Sequence, residues 1–137
     1  MSHKRVSVLI VDDHETTRRA LALLVSSFLT VEHNCSTVAT AEEALTLLES
    51  KFFHLALVDI NLPGASGLDL SSSIRREYPN TVVILVSGAI DLQAVKGQIQ
   101  NSCFDYVDKC ANVQDLKDSI QRALEYQRKS AVTAAPV

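Results

Sequence analysis

The 137-residue sequence predicts an α/β fold: a doubly wound parallel sheet of five strands alternating with five helices. Three observations lead there. Short apolar runs rich in β-branched residues recur along the chain, and each stops abruptly at a polar residue, as strands buried on both faces do. Between these runs the apolar residues change to helical spacing. Composition agrees: 47% hydrophobic and 21% charged residues describe a globular chain, long enough to bury a core without disulfide or metal staples.

The elements follow in order. Val6–Val11 reads as the first strand and stops at Asp12-Asp13. From His14 the spacing of Leu21, Leu24, Val25 and Phe28 is helical, with Arg18 and Arg19 among the polar positions. A second strand covers about residues 32–39. Thr40-Ala41-Glu42-Glu43 then has the form of a capping box, in which each outer side chain satisfies a backbone donor of the other residue. Ala44, Leu45 and Leu48 form the apolar stripe of that second helix.

Residues 54–58 make the third run, ending at Asp59. Asn61-Leu62-Pro63-Gly64 and Gly67 mark a turn before a third helix that ends near Tyr78-Pro79. Residues 81–86 are the fourth run, stopping at Ser87-Gly88. A fourth helix spans about residues 92–100, weakened by Gly97, which costs about 1 kcal/mol relative to alanine. Residues 104–107 are a short fifth strand that stops at Asp108-Lys109. Val113, Leu116, Ile120 and Leu124 give the last helix its stripe. The expected domain is residues 1–129, with 130–137, small and apolar without a period, as a flexible tail or the start of a linker.

In a parallel sheet of this kind ligands bind beyond the carboxyl ends of the strands, so the residues at those ends carry the functional reading. Asp12 and Asp13 follow the first strand, Asp59 and Asn61 the third, Ser87 the fourth and Lys109 the fifth. Carboxylates gathered this closely repel one another, by roughly 4 kcal/mol per pair at about 4 Å and an effective dielectric of 20. A hard divalent cation relieves that repulsion, and an all-oxygen donor set suits Mg2+ or Mn2+. A hydroxyl and an ammonium opposite the metal would clamp phosphoryl oxygens. A carboxylate in the middle could act as nucleophile and form an aspartyl phosphate, and Asp59, which ends a central strand, is the expected one.

With those residues in place, the chain resembles the receiver domain of bacterial two-component response regulators. The matching features are Val11-Asp12-Asp13, Val58-Asp59-Ile60-Asn61-Leu62-Pro63-Gly64 with Gly67, Ser87-Gly88-Ala89, and Tyr106-Val107-Asp108-Lys109. Each is weak alone; in this order, each at a strand end, they are specific, and they extend over nearly the whole chain. The resemblance implies a flavodoxin-like sheet of order 2-1-3-4-5. It implies that Asp59 accepts a phosphoryl group from the phosphohistidine of a histidine kinase or phosphotransfer protein. Asp13 would bind the metal directly and Asp12 mainly through water, with Asp59 and the Asn61 backbone carbonyl completing the set. Ser87 and Lys109 would bind phosphoryl oxygens. Tyr106 would turn inward when Ser87 moves, switching the face of the fourth helix, fifth strand and fifth helix, through which a homodimer could also form. Asn61 and Ala89 flank the approach of hydrolytic water; small Ala89 leaves that approach open without positioning the water, which implies an intermediate phosphoryl lifetime.

Two traits bear on subgroup. The family commonly has proline after the lysine, joined by a cis peptide; here the residue is Cys110, so a trans Lys109–Cys110 bond is expected. Receivers that precede a LuxR-type helix-turn-helix output often lack this proline and often read as Val11-Asp12-Asp13-His14 does. Any DNA contact would then belong to a missing C-terminal output domain.

Single residues have plainer readings. Asp12 and Asp13 alone could favour a helix N-terminus through its dipole, Ser87 a turn, Lys109 a solvated strand end, and Tyr106 half-buried packing. Histidine is a poor magnesium ligand, so His14 is expected to start a helix or contact a partner. His3, His33 and His54 show no ligand spacing. A haloacid-dehalogenase-type phosphatase would need an aspartate two residues after the nucleophile, where Asn61 stands. A dinucleotide site would need a glycine-rich turn in place of the run from Asp12 to Thr17. The remaining rival is a non-phosphorylated pseudo-receiver, a protein-interaction module of the same fold. A net charge of −3 argues against nucleic-acid or anionic-membrane binding by this chain. No apolar run approaches a membrane span or a convincing signal peptide. Three cysteines without paired spacing fit reduced thiols in the cytoplasm.

Overall fold

The computed structural model describes residues 5–64, 66–88, 103–108 and 112–134. Among them lie five strands, β1 (Val6–Val11), β2 (His33–Val38), β3 (Leu55–Asp59), β4 (Val82–Ser87) and β5 (Asp105–Asp108). Four helices accompany them: α1 (Glu15–Phe28), α2 (Ala41–Ser50), α3 (Gly67–Glu77) and α4 (Val113–Ala134). The fourth helix expected at about 92–100 lies outside the described residues. The strands form one sheet in the order β2-β1-β3-β4-β5, and every neighbouring pair is parallel. This is the flavodoxin-like order that the resemblance implied.

Strand periodicity divides the core in two. Leu9, Val11, Ala56, Val58, Val83 and Leu85 face one side and pack with Ala44 and Leu48 of α2 and Leu70 and Ile74 of α3. Val8, Ile10, Leu55, Leu57, Val82, Ile84 and Val86 face the other and meet Leu21 and Val25 of α1 and Leu116, Ile120 and Ala123 of α4. Helices therefore cover both faces of the sheet, and the strand ends emerge between them. The β1–β3–β4 centre is nearly all buried, which is why its sequence runs are continuously apolar.

Several local expectations need adjustment. At α2 the Thr40 hydroxyl accepts a hydrogen bond from the Glu43 N–H at 3.1 Å, as a capping box requires. The Glu43 carboxylate, however, accepts from the Ala39 N–H at 2.9 Å, one residue before the cap. β3 is shifted one residue from the expected 54–58, because Asp59 itself pairs in register with Val86. Val113 is 51% exposed rather than part of the α4 stripe; Ser119, Ala123 and Gln127 take buried positions beside Leu116 and Ile120. Gln127 is accommodated because its side-chain N–H donates to the Asn80 carbonyl at 3.2 Å. Finally, α4 continues through Ala134, so the backbone of residues 130–134 is helical; extending a helix already formed costs far less than nucleating one, and no apolar period is needed.

Candidate functional site

The carboxyl ends of β1, β3 and β4 place the site. After β1 the backbone of Asp12 still pairs with β2, its N–H donating to the Val38 carbonyl at 3.1 Å. The backbone of Asp12 thus prolongs the β1–β2 pairing, and the residue is 1% exposed. Its Oδ1 accepts a hydrogen bond from the His14 N–H at 2.9 Å. Arg18, one turn into α1, donates to the Asp12 carbonyl at 2.8 Å. Asp59 is 4% exposed and is fixed in the same way, its Oδ1 accepting from the Asn61 N–H at 3.1 Å. These aspartate turns over the second following residue help to orient both carboxylates.

The loop after β3 is shaped by its glycines. Gly64 has a φ of 79°, a left-handed conformation that side chains disfavour. Gly67 opens α3 directly beneath the strand end, and its N–H donates to the Ile60 carbonyl at 2.8 Å. Ser66 caps the helix by accepting from the Leu68 N–H at 3.0 Å.

Asp12, Asp13, His14 and Asp59 each bring one ligand atom into a group in which all four lie within 4.8 Å of one another. Two of the three carboxylates are buried, so their mutual repulsion is weakly screened by solvent and favours a counter-cation. The group thus has the donor set of a divalent metal site. Beside it, at the end of β4, the Ser87 hydroxyl is buried with no hydrogen-bond partner among the described residues. A buried hydroxyl left unsatisfied normally answers to a ligand or a function, and this one fits an oxygen-rich group bound over the acids.

Of the site residues expected from sequence, Asp12, Asp13 and Asp59 come together, Asn61 is in direct hydrogen bond with Asp59, and Ser87 ends the neighbouring strand. Tyr106 lies on β5, paired with Leu85 and packed half-buried against the α2–α3 side of the core. Lys109, Ala89 and the Lys109–Cys110 bond lie outside the described residues. His14 belongs to the cluster more closely than expected, its ring Nδ1 standing 3.2 Å from an Asp13 oxygen and 3.6 Å from an Asp12 oxygen. Its position straight after two aspartates was the signal. His33 and His54 are engaged elsewhere: the His33 ring pairs with the Val31 carbonyl at 2.8 Å, and His54 Nδ1 accepts from the Ser7 N–H at 3.1 Å.

Comparison with known proteins agrees with this geometry. A family model for the response regulator receiver domain matches residues 8–121. The chain is 33% identical over 121 residues to a cyclic di-GMP phosphodiesterase of Thermotoga maritima, covering 87% of this chain and 31% of that protein. It is 31% identical over 127 residues to the DNA-binding transcriptional regulator NtrC of Salmonella typhimurium, covering 92% of this chain and 26% of that one. The chain thus spans about a quarter to a third of the length of these relatives. Among solved structures it is similar to the signal receiver domain of an HD domain-containing protein from Pseudomonas fluorescens Pf-5, with a TM-score of 0.83, 29% identity and coverage of 92% and 99% of the two chains. A CheY-like receiver domain from Methanospirillum hungatei matches with a TM-score of 0.76 and 31% identity over 93% and 99%. The LuxR-type subgroup suggested by His14 and Cys110 gains no support, since the relatives include NtrC and a cyclic di-GMP phosphodiesterase; two single-residue traits were too little to place an output domain.

Proposed function

The chain belongs to the family of response regulator receiver domains, phosphoacceptor signalling modules, and from that premise we propose that Asp59 takes a phosphoryl group from the phosphohistidine of a partner kinase or phosphotransfer protein. The observation that carries this is the gathering of Asp12, Asp13 and Asp59 near a buried Ser87 hydroxyl that has no hydrogen-bond partner among the described residues. An Asp59 carboxylate oxygen attacks phosphorus, a P–O bond forms as the P–N bond breaks, and the kinase imidazole leaves. Asp12, Asp13, Asp59 and the Asn61 backbone carbonyl would hold Mg2+ or Mn2+, which supplies positive charge against the acids and the phosphoryl oxygens.

The remaining roles belong to this chain's own side chains. The Asn61 N–H holds the Asp59 carboxylate in a single orientation before the donor arrives. The Ser87 hydroxyl donates to one phosphoryl oxygen and the Lys109 ammonium pairs with another. Movement of Ser87 toward the phosphoryl group makes room for the Tyr106 ring, which alters the face of β5 and α4 and any homodimer formed there. Phosphorylation adds about 1.5 to 2 negative charges and three strong acceptors, enough to shift such a two-state element. Asn61 and Ala89 set how readily water reaches the acyl phosphate. Among the described residues no helix is long and apolar enough to cross a membrane, and a kinase-fed receiver of this composition fits the cytoplasm.

Intact mass after incubation with a small acyl phosphate donor tests the proposal. A single phosphoryl adduct is expected on the native chain with Mg2+, and none without Mg2+ or in Asp59→Asn. An adduct that persists in Asp59→Asn would overturn it. Failure to take phosphate from both the donor and a panel of phosphorylated kinases, with the fold intact, would favour the non-phosphorylated interaction module.

A further inference from the structure

We propose that His14 is a metal ligand, making this a mixed imidazole–carboxylate site that selects a borderline first-row transition ion, such as Mn2+, Co2+ or Ni2+, over Mg2+. The inference rests on the divalent-cation reading above and concerns which cation the site holds.

Geometry comes first. Around a small dication with ligands at about 2.1 Å, adjacent ligand atoms of an octahedron lie about 3.0 Å apart and opposite ones about 4.2 Å. The His14 Nδ1 stands 3.2 Å from Asp13 Oδ1 and 3.6 Å from Asp12 Oδ1, and all four candidate ligand atoms lie within 4.8 Å of one another. The imidazole therefore stands within reach of a cation held between the carboxylates.

The ring also does not cap its own helix. His14 is the N-cap of α1, yet its side chain makes no capping hydrogen bond, where serine, threonine, asparagine or aspartate would. Its backbone N–H instead orients Asp12. With the His14 side chain 69% exposed, packing does not hold the ring over the acids; its contacts are with the Asp12 and Asp13 carboxylates.

Chemistry then sets the preference. Mg2+ takes oxygen ligands and gains little from imidazole, whereas affinity for nitrogen-containing sites rises from Mn2+ through Co2+ to Ni2+. An imidazole on the rim leaves the carboxylate set able to hold Mg2+ and adds affinity only for the transition ions.

The test compares direct metal binding by the native chain, His14→Ala and Asp13→Asn at pH 8. Titration calorimetry is expected to show Ni2+ and Co2+ affinity falling at least about tenfold in His14→Ala while Mg2+ affinity stays within about twofold. The electron spin echo of bound Mn2+ is expected to carry an imidazole nitrogen coupling that His14→Ala abolishes. Because the ring makes no cap bond, the variant keeps its fold, which circular dichroism checks. Mn2+ bound in the native chain without nitrogen coupling, or an unchanged Ni2+ to Mg2+ affinity ratio in His14→Ala, would overturn the proposal while leaving the carboxylate site standing. Absence of all divalent binding, or binding untouched by Asp13→Asn, would overturn the cation reading itself.

Discussion

Gly67 lies directly under the backbone carbonyl of Asp59: a Cβ added to the glycine would stand 1.9 Å from that oxygen and 2.8 Å from the Asp59 carbonyl carbon. Both are backbone atoms at the end of a buried central strand, so neither can yield without moving Asp59, the proposed phosphoacceptor. Gly67→Ala is therefore expected to destabilise the fold by about 2–4 kcal/mol, read by urea denaturation. It should also reduce phosphoryl uptake under conditions where the variant is still folded. A variant of native stability and native uptake would show that the loop gives way freely.

Ser87 separates stability from function. Its hydroxyl is buried and has no hydrogen-bond partner among the described residues, and an unsatisfied buried polar group costs on the order of 1–3 kcal/mol. Ser87→Ala should leave the unphosphorylated protein as stable as the native one or more so, by up to about 1 kcal/mol, while lowering the yield or lifetime of the phosphoryl adduct. Denaturation and intact mass on the same samples check both halves.

Asp105 ties β5 to α4. Its Oδ2 accepts from the buried Ser119 hydroxyl at 2.7 Å and from Arg122 at 2.6 Å. Asp105→Ala strands the Ser119 hydroxyl and is expected to cost about 1–3 kcal/mol. Arg122→Ala removes a side chain that is 59% exposed and should cost less than about 1 kcal/mol. Equal losses from the two variants would contradict this division.

Cys103 predicts an alkaline dependence. Burial pushes its thiol up from the ordinary value of 9.0 to about 11, with the nearby Asp105 charge adding to the rise. A group whose folded pKa is raised contributes its stability in full below the unfolded pKa and loses it as pH climbs through the folded one. The native chain should thus lose about 1 kcal/mol more than Cys103→Val between pH 8 and pH 10, measured by urea denaturation at each pH. Parallel curves for the two proteins would remove the thiol from the account.

The legible part of the fold was its alternation. Apolar runs at residues 6–11 and 81–86 could be read because they are largely buried on both faces, and the polar residues that stop them form the candidate site. What stayed hidden depends on partners distant in the chain. Ser119 and Gln127 look like solvent-facing positions until Asp105 and Asn80 arrive to satisfy them, and Val113 looks like core until the helix start leaves it exposed. Likewise the sequence shows Gly67 as a turn residue, but only the packed strand shows that its missing side chain is what admits the Asp59 carbonyl. His14 was set aside because imidazole suits magnesium poorly, a chemical argument about one metal that said nothing of where the ring would lie.

The central claim is that Asp59 carries the phosphoryl group, and reductive trapping tests it at residue level. The chain is treated with a phosphodonor and Mg2+, then with borohydride, which converts an aspartyl phosphate to homoserine, and the peptides are mapped by mass. Homoserine is expected at position 59 alone, and only when donor and metal are both present. Homoserine at position 12 or 13, or reduction at 59 that ignores the metal, would contradict the account.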